Sequence, residues 1–208
     1  MTQNAILPLN LVIKVAKQRI ALCCRAVALV LAVCLPLSAQ ALEQCDALSL
    51  QQLVQLMDDR LALADDVARY KWTTRMPIED LAREQAIIQH LGRQAAGYGL
   101  PVGWAEAFFR AQFAASKSVQ SSLFATWRNT HPNGFKDPPH LTRTTRPKLD
   151  AINRQLFSLL ASSWEQLDNP ACQPLIADLV ARQIAVSTLT DPSALTLATA
   201  PLTAAVAK

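Results

Sequence analysis

The sequence has few of the residues that mark the commonest enzyme classes. Histidine occurs three times in 208 residues, at His90, His131 and His140, and no two of these have the close spacing of metal ligands. The sequence contains no Gly-x-Ser-x-Gly segment that could form the nucleophile elbow of a hydrolase. No stretch alternates apolar and polar residues for long enough to predict a strand. These absences argue against a metalloenzyme, a serine hydrolase and a β-rich fold.

The chain also has little excess charge once its first 41 residues are set aside. Four of the 20 Lys and Arg residues lie there and none of the 16 Asp and Glu residues, so sixteen of each sign remain. A chain without excess positive charge gives no indication of a broad basic surface for the phosphates of a nucleic acid. We therefore expect no nucleic-acid partner.

The N-terminal segment resembles a secretory signal. Its four cations precede an apolar run, residues 26–37, and the string "SAQA" ends at Ala41 with small residues. We expect residues 1–41 to be a signal peptide cleaved after Ala41, and the protein to be periplasmic or secreted, with no membrane attachment after cleavage. An uncleaved membrane anchor is the alternative, although the run is short for a spanning helix. A lipoprotein signal is disfavoured, since Val33 is bulky for the position before Cys34.

Two of the five cysteines, Cys45 and Cys172, follow the predicted leader. A single pair in a chain that enters an oxidising compartment favours a disulfide. We expect a bridge that ties the start of the mature chain to the entry of its last predicted helix. Two separate buried thiols are the alternative.

Helical periodicity recurs throughout the mature chain, which predicts an all-α bundle of about five to six helices within residues 42–190. We expect the first helix to start at Ser49, with Gln52 completing a capping box, and the second to open at Pro77. Residues 191–208, rich in Ala and Thr, are expected to form a loosely ordered tail. The predicted helices span about 49–73, 77–97, 102–128, 145–167 and 174–189, with a loop at 129–141.

The first predicted helix carries two cations on its apolar side. Arg60 and Lys71 are eleven residues apart, which is about three turns with about 20° left over, so they share a face. Ala64 and Val67, at about +40° and −20° from Arg60, flank the two cations on the same face and belong to the apolar stripe. An unpaired charge in a bundle core costs several kcal/mol. These cations must therefore reach solvent or share a polar cavity with partners.

Two further helices show the same pattern. Asp80, Arg83 and Glu84 share one side of the second helix, although the first two could form a surface ion pair. Ser116 and Gln120 continue an aromatic stripe of the third helix, although they could be merely its polar end. If the three stripes converge, three cations, two carboxylates, a hydroxyl and an amide suit a small anionic ligand rich in oxygen.

The order and spacing of these residues resemble those of the AroQ-type all-helical chorismate mutases. The strings "DLARE", "SKSVQ", "ADDVARYKW" and "MPIED" carry the resemblance, which covers about residues 48–184. The leader, the extra C-terminal helices and the cysteines resemble the exported, gamma subclass. In that subclass an arginine of a later helix completes the pocket, and "TTRPKLD" places Arg146 there, with Arg143 as a nearby competitor.

The resemblance implies the Claisen rearrangement of chorismate to prephenate, a precursor of phenylalanine and tyrosine, without a metal or other cofactor. It implies that Lys71 and Gln120 donate to the ether oxygen while Arg60 and Arg146 hold carboxylates. It also implies a homodimer with each pocket built within one chain. The full implied substrate-binding set is Arg60, Lys71, Asp80, Arg83, Glu84, Ser116, Gln120 and Arg146. The alternative is an exported helical binding protein that keeps the scaffold without the catalysis.

Overall fold

A computed structural model describes residues 45–204 and contains seven α-helices and no strand in that range. The all-α prediction is confirmed, whereas the predicted signal peptide, residues 1–41, lies outside the described residues. A π-helical turn, Leu141–Thr145, leads into the fourth helix. The helices are α1 (Ala47–Thr73), α2 (Leu81–Ala96), α3 (Val102–Thr130), α4 (Arg146–Ser162), α5 (Trp164–Leu167), α6 (Gln173–Val186) and α7 (Ser193–Thr203).

The two long helices, α1 and α3, pack against each other and form the centre of the core. Helix α2 packs on α3, while α4 and α6 pack on α1. The inward side of α1 follows the helical period that the sequence predicted. Its fully buried apolar residues are Leu50, Leu53, Val54, Met57, Leu61, Ala64 and Ala68.

Helix α1 begins two residues earlier than predicted, because Asp46 rather than Ser49 is its N-cap. One carboxylate oxygen of Asp46 accepts hydrogen bonds from the backbone N–H groups of Leu48, at 3.0 Å, and Ser49, at 3.2 Å. The Ser49 hydroxyl donates to the other oxygen, at 2.6 Å. The predicted capping box at Ser49 is therefore wrong, since an aspartate three residues upstream satisfies the free N–H groups of the first turn.

Helix α2 begins at Leu81 and not at Pro77. Asp80 is its N-cap and accepts a hydrogen bond from the backbone N–H of Arg83 at 3.2 Å. An aspartate is preferred as N-cap because its carboxylate accepts a hydrogen bond from a free N–H group of the first turn. A proline at the first helical position has no side-chain acceptor for these groups. Residues 74–80 consequently form a connecting loop between α1 and α2.

The fourth predicted helix is two helices, because the chain turns at Ser163. The backbone there has φ −102° and ψ 6°, outside the α-helical range, and the Ser163 hydroxyl is buried. Helix α5 is therefore a single turn that redirects the chain toward α6.

The prediction of a loosely ordered tail is wrong for residues 193–203, which form α7. This helix packs against α3 and α6 through a stripe with helical spacing. The amide of Gln112 on α3 donates a buried hydrogen bond to the carbonyl of Ala198 at 3.1 Å. Small side chains let α7 approach α3 closely, and this packing outweighs the weak helix propensity of its threonines. The buried stripe comprises Ala194, Leu195, Ala198, Thr199 and Leu202.

The disulfide is confirmed: Cys45 and Cys172 are bridged, with 5.7 Å between their Cα atoms. Both residues are buried, and the bridge fastens the residue before the N-cap of α1 to the N-cap of α6. None of the helices within residues 45–204 combines the length and apolar character needed to cross a bilayer.

Candidate active site

A cavity of about 980 Å³ is bounded by α1, α2, α3, the π-helical turn and α4. Its size lies within the range of small-molecule binding sites. The structure brings together in its lining all eight residues of the predicted binding set: Arg60, Lys71, Asp80, Arg83, Glu84, Ser116, Gln120 and Arg146.

Arg60 is the most deeply buried cation of the cavity, with 6% of its surface exposed. Its Nε donates a hydrogen bond to Oδ1 of Asn153 on α4 at 3.2 Å. Its guanidinium carbon lies 5.5 Å from the centre of the Phe113 ring, within the range of a cation–π contact. Burial lowers the pKa of Arg60 to about 10, so the side chain is still a cation at neutral pH.

Lys71 lies on the same wall of the cavity and is half-buried. Its ammonium donates a hydrogen bond to the backbone carbonyl of Ile78, in the loop between α1 and α2, at 2.6 Å. Burial lowers the pKa of Lys71 below its usual value of 10.5, and the carboxylates of Glu84 and Asp80 oppose this shift. An ammonium has three N–H groups, so the bond to Ile78 leaves two of them for other acceptors.

The N-terminal end of α2 presents two acids to the cavity, the N-cap Asp80 and Glu84 in the first turn. Asp80 caps the helix, and its own backbone N–H lies 3.3 Å from Oε1 of Glu84. Oε2 of Glu84 accepts a hydrogen bond from the ammonium of Lys117 on α3 at 3.0 Å. Arg83 lines the cavity from an exposed position in the same turn.

Ser116 and Gln120 lie one turn apart on α3 and face the cavity together. Nε2 of Gln120 is 3.2 Å from the hydroxyl oxygen of Ser116. Only 4% of Gln120 is exposed, and its Oε1 atom accepts no hydrogen bond from the part of the chain that the structure describes. Buried polar atoms are normally paired, so this amide is a candidate for contact with a ligand.

Arg146 is the first residue of α4 and lines the cavity, with its Nη1 atom 3.4 Å from the hydroxyl oxygen of Thr142. Its neighbour Thr145 is buried and donates a hydrogen bond to Asp66 on α1 at 3.1 Å, which fixes the start of α4 against α1. Arg143, the competitor considered from the sequence, is exposed and does not belong to the cavity lining.

Two lining residues outside the predicted set form side-chain hydrogen bonds with its members. Asn153 holds Arg60, and Lys117 pairs with Glu84. Lys117 lies within the string "SKSVQ", which carries part of the family resemblance, and Asn153 follows "TTRPKLD" by three residues. Their partners, however, are on other helices, so the contacts follow from helix packing and not from spacing within one helix.

The donor set of the cavity is that of an anion site. The eight predicted residues carry four cations and two carboxylates, a sum of two positive charges. Within residues 45–204, no group of three His, Cys, Asp or Glu residues is placed to hold a metal ion. The arrangement can bind a small dianion through arginine and lysine and can contact its neutral oxygen atoms through Gln120 and Ser116.

Comparison with known proteins gives a consistent result for sequence and structure. The family model for chorismate mutase type II matches residues 43–121. The secreted chorismate mutase of Mycobacterium tuberculosis is 31% identical over 124 residues, which are 58% of this chain and 62% of that protein. The chain thus spans less than two thirds of that relative's length. The secreted chorismate mutase of Mycolicibacterium smegmatis is 33% identical over 129 residues, which are 62% of this chain and 71% of that protein.

The fold likewise matches that of a solved structure. The crystal structure of a chorismate mutase from Burkholderia thailandensis superimposes with a TM-score of 0.68 and 37% sequence identity. The match covers 74% of this chain and 98% of that one. Sequence identity of this level over nearly a whole relative, together with the match to the family model, establishes that the chain belongs to the chorismate mutase type II family.

Proposed function

We propose that the protein is an exported chorismate mutase, which converts chorismate to prephenate by an intramolecular Claisen rearrangement. The observation that carries the proposal is the position of Arg60 and Lys71. Both cations lie on the apolar stripe of α1 and line a cavity to which α2, α3 and α4 contribute the six further polar or charged residues of the predicted set. Chorismate carries two carboxylates, which match the two positive charges of that set.

The arginines of α1 and α4 are the groups suited to the substrate carboxylates. Arg60 is held by Asn153 at its Nε, so the two terminal nitrogens of its guanidinium are the donors that can pair with a carboxylate. Arg146 lines the cavity from α4 and supplies the second clamp, and the Ser116 hydroxyl adds a further hydrogen bond. Clamping both ends holds the flexible enolpyruvyl side chain in the compact conformation that the reaction requires.

Lys71 and Gln120 are the groups suited to the ether oxygen, where negative charge develops as the C–O bond breaks. Lys71 has two N–H groups beyond its bond to Ile78. Rotation of the Gln120 amide by half a turn would let Oε1 accept from the Ser116 hydroxyl and would turn the NH₂ group to the cavity. Donors held in place before the reaction stabilise the developing charge without reorganisation.

The acids of α2 are the groups suited to the ring hydroxyl. Glu84 is the more buried of the two and lines the cavity, with Asp80 beside it at the start of the helix. Arg83, in the same turn, supports the acids and the bound anion. No nucleophile or proton transfer is required, since the rearrangement is intramolecular, and catalysis consists of favouring the transition state over the bound substrate.

The proposed location and assembly of the protein rest on its N-terminal sequence and on the family resemblance. We propose that residues 1–41 are a signal peptide cleaved after Ala41, because cations precede an apolar run there and two relatives are named as secreted. We also propose that the mature protein is a homodimer with each cavity built within one chain, and that its prephenate supports phenylalanine and tyrosine synthesis.

The proposal is tested by following chorismate consumption with ultraviolet absorbance, using protein purified after expression of the full chain. We expect conversion to prephenate, identified by mass spectrometry. Lys71→Ala should lower turnover at least about 100-fold, which is the scale of losing one oxyanion donor. If the folded wild-type protein consumes no chorismate, the proposal is wrong and the cavity binds a different anion.

A further inference from the structure

Lys117 joins two carboxylates at one edge of the cavity. Its ammonium donates to Oε2 of Glu84 at 3.0 Å and to Oε1 of Glu79 at 3.1 Å. It thereby ties α3 to the first turn of α2 and to the loop before it. The Lys117 and Glu84 side chains are only 23% and 15% exposed, so solvent screens this pair less than it screens an ordinary surface ion pair.

The Glu84 carboxylate is held at both of its oxygens. Oε2 accepts from Lys117, and Oε1 lies 3.3 Å from the backbone N–H of Asp80. One partner at each oxygen fixes the orientation of a carboxylate that would otherwise rotate about its terminal bond. Glu84 therefore presents its remaining lone pairs to the cavity in one defined direction.

Lys117 has the positive charge that it needs to hold the Glu84 carboxylate. Burial lowers the pKa of its ammonium, but the hydrogen bonds to Glu84 and Glu79 outweigh that effect, so the pKa is raised above its usual value. The side chain is therefore a cation over the whole neutral range. Its hydrogen bonds to Glu84 and Glu79 both go to acids, and neither acid is assigned to the carboxylates or the ether oxygen of the substrate.

We propose that Lys117 is a positioning residue, which holds the Glu84 carboxylate in the orientation that accepts a hydrogen bond from the ring hydroxyl of the substrate. The inference rests on the proposed function of the same cavity. The ring hydroxyl does not react, so its contact with Glu84 contributes about equally to the bound substrate and to the transition state. A loss of this contact therefore appears in KM and leaves kcat nearly unchanged.

A double-mutant cycle tests the proposal. Chorismate kinetics are measured on the wild-type protein, Lys117→Met, Glu84→Gln and the double variant, with melting temperatures beside them. We expect Lys117→Met to raise KM about tenfold, on the scale of coupling within one hydrogen-bonded charge pair, and to change kcat less than about twofold. In the Glu84→Gln background the same substitution should have almost no further effect, because Lys117 acts through that carboxylate.

Three further variants complete the design. Lys117→Arg keeps the charge and should have a KM much closer to that of the wild-type protein than Lys117→Met has. Lys136→Met removes one exposed cation outside the cavity lining, which controls for the change in net charge. If Lys117→Met fails to fold, Lys117→Gln replaces it in the same cycle.

The possible results separate this inference from the proposed function. An active wild-type protein whose Lys117→Met variant has normal KM overturns the inference alone. Equal losses in the wild-type and Glu84→Gln backgrounds overturn it too, because Lys117 would then act independently of Glu84. A wild-type protein without chorismate turnover overturns the proposed function, and this inference with it.

Discussion

The buried guanidinium of Arg60 on α1 and the amide oxygen of Asn153 on α4 are joined by a hydrogen bond of 3.2 Å. Among the described residues, no carboxylate forms an ion pair with Arg60, so Asn153 is its main polar partner. Asn153→Ala should lower the free energy of unfolding by about 1–3 kcal/mol, the cost of leaving a buried donor unsatisfied. It should also raise KM for chorismate, because Arg60 loses its fixed orientation. Urea denaturation and steady-state kinetics measure the two effects.

Asn153→Asp is the matched control for that substitution. The carboxylate keeps an acceptor for Arg60, so stability should be close to that of the wild-type protein. The added negative charge should nevertheless weaken the binding of a dianion and raise KM. An Asn153→Asp variant with normal KM would show that Arg60 does not contact the substrate.

Gln120→Glu should make the enzyme require acid. An amide donates a hydrogen bond at any ordinary pH, whereas a carboxyl group donates only when protonated. The wild-type kcat/KM should therefore be nearly flat between about pH 5 and about pH 8, while that of Gln120→Glu should fall steadily as the pH rises. A steep loss in the wild-type protein over the same interval would contradict the function assigned to Gln120.

At alkaline pH, kcat/KM should begin to fall at a lower pH than the usual pKa values of lysine and arginine would suggest. Burial lowers the pKa of Lys71 below 10.5 and that of Arg60 to about 10. The proposed mechanism uses both side chains as cations. Both groups have a lower pKa in the folded chain than in the unfolded chain, so the unfolded chain binds their protons more tightly. The free energy of unfolding therefore rises, and does not fall, as these two groups lose their protons. Circular dichroism at the same pH should therefore show an intact fold while kcat/KM declines.

How much of the site the sequence could predict depends on where each interaction lies. All eight residues of the predicted binding set line the cavity. They could be predicted because each follows from periodicity within one helix or from the family resemblance. Lys117 and Asn153 could not be identified as partners of Glu84 and Arg60, since those contacts depend on how neighbouring helices pack. Spacing along a chain indicates a face of a helix and does not indicate which residue of another helix lies opposite.

The errors in the fold have similarly local causes. The start of α2 was predicted at Pro77 because proline favours the first helical position, but the Asp80 cap decides the boundary. Helix α7 was missed because its alanines, threonines and Pro201 resemble an unstructured segment in composition. Its stability comes from packing on α3 and α6, which the isolated segment does not reveal.

Helix α7 should prove part of the cooperative core. Leu195→Ala removes a fully buried side chain and should destabilise the protein by about 2–5 kcal/mol. Leu197→Ala, in the same helix, alters a side chain that is 43% exposed and should change stability by less than about 0.5 kcal/mol. Thermal unfolding distinguishes the two, and equal melting temperatures would mean that α7 does not unfold with the core.

The disulfide should matter for stability and little for catalysis. It closes a loop with a sequence separation of 127 residues. Replacing Cys45 and Cys172 by serine should therefore cost about 2–5 kcal/mol, measured by urea denaturation. Neither cysteine lines the cavity, so kcat at room temperature should change little. A large loss of turnover in a folded variant would show that the bridge shapes the cavity.

The same disulfide turns most of the protein into a covalent ring. Every residue of the predicted binding set lies between Cys45 and Cys172, whereas α6 and α7 extend beyond the ring as a C-terminal arm. A protease in the surroundings that cuts the exposed connection between α3 and α4, for example at Asn133, would open the ring without releasing a fragment. The two pieces that together build the cavity would stay tethered and would separate only after reduction.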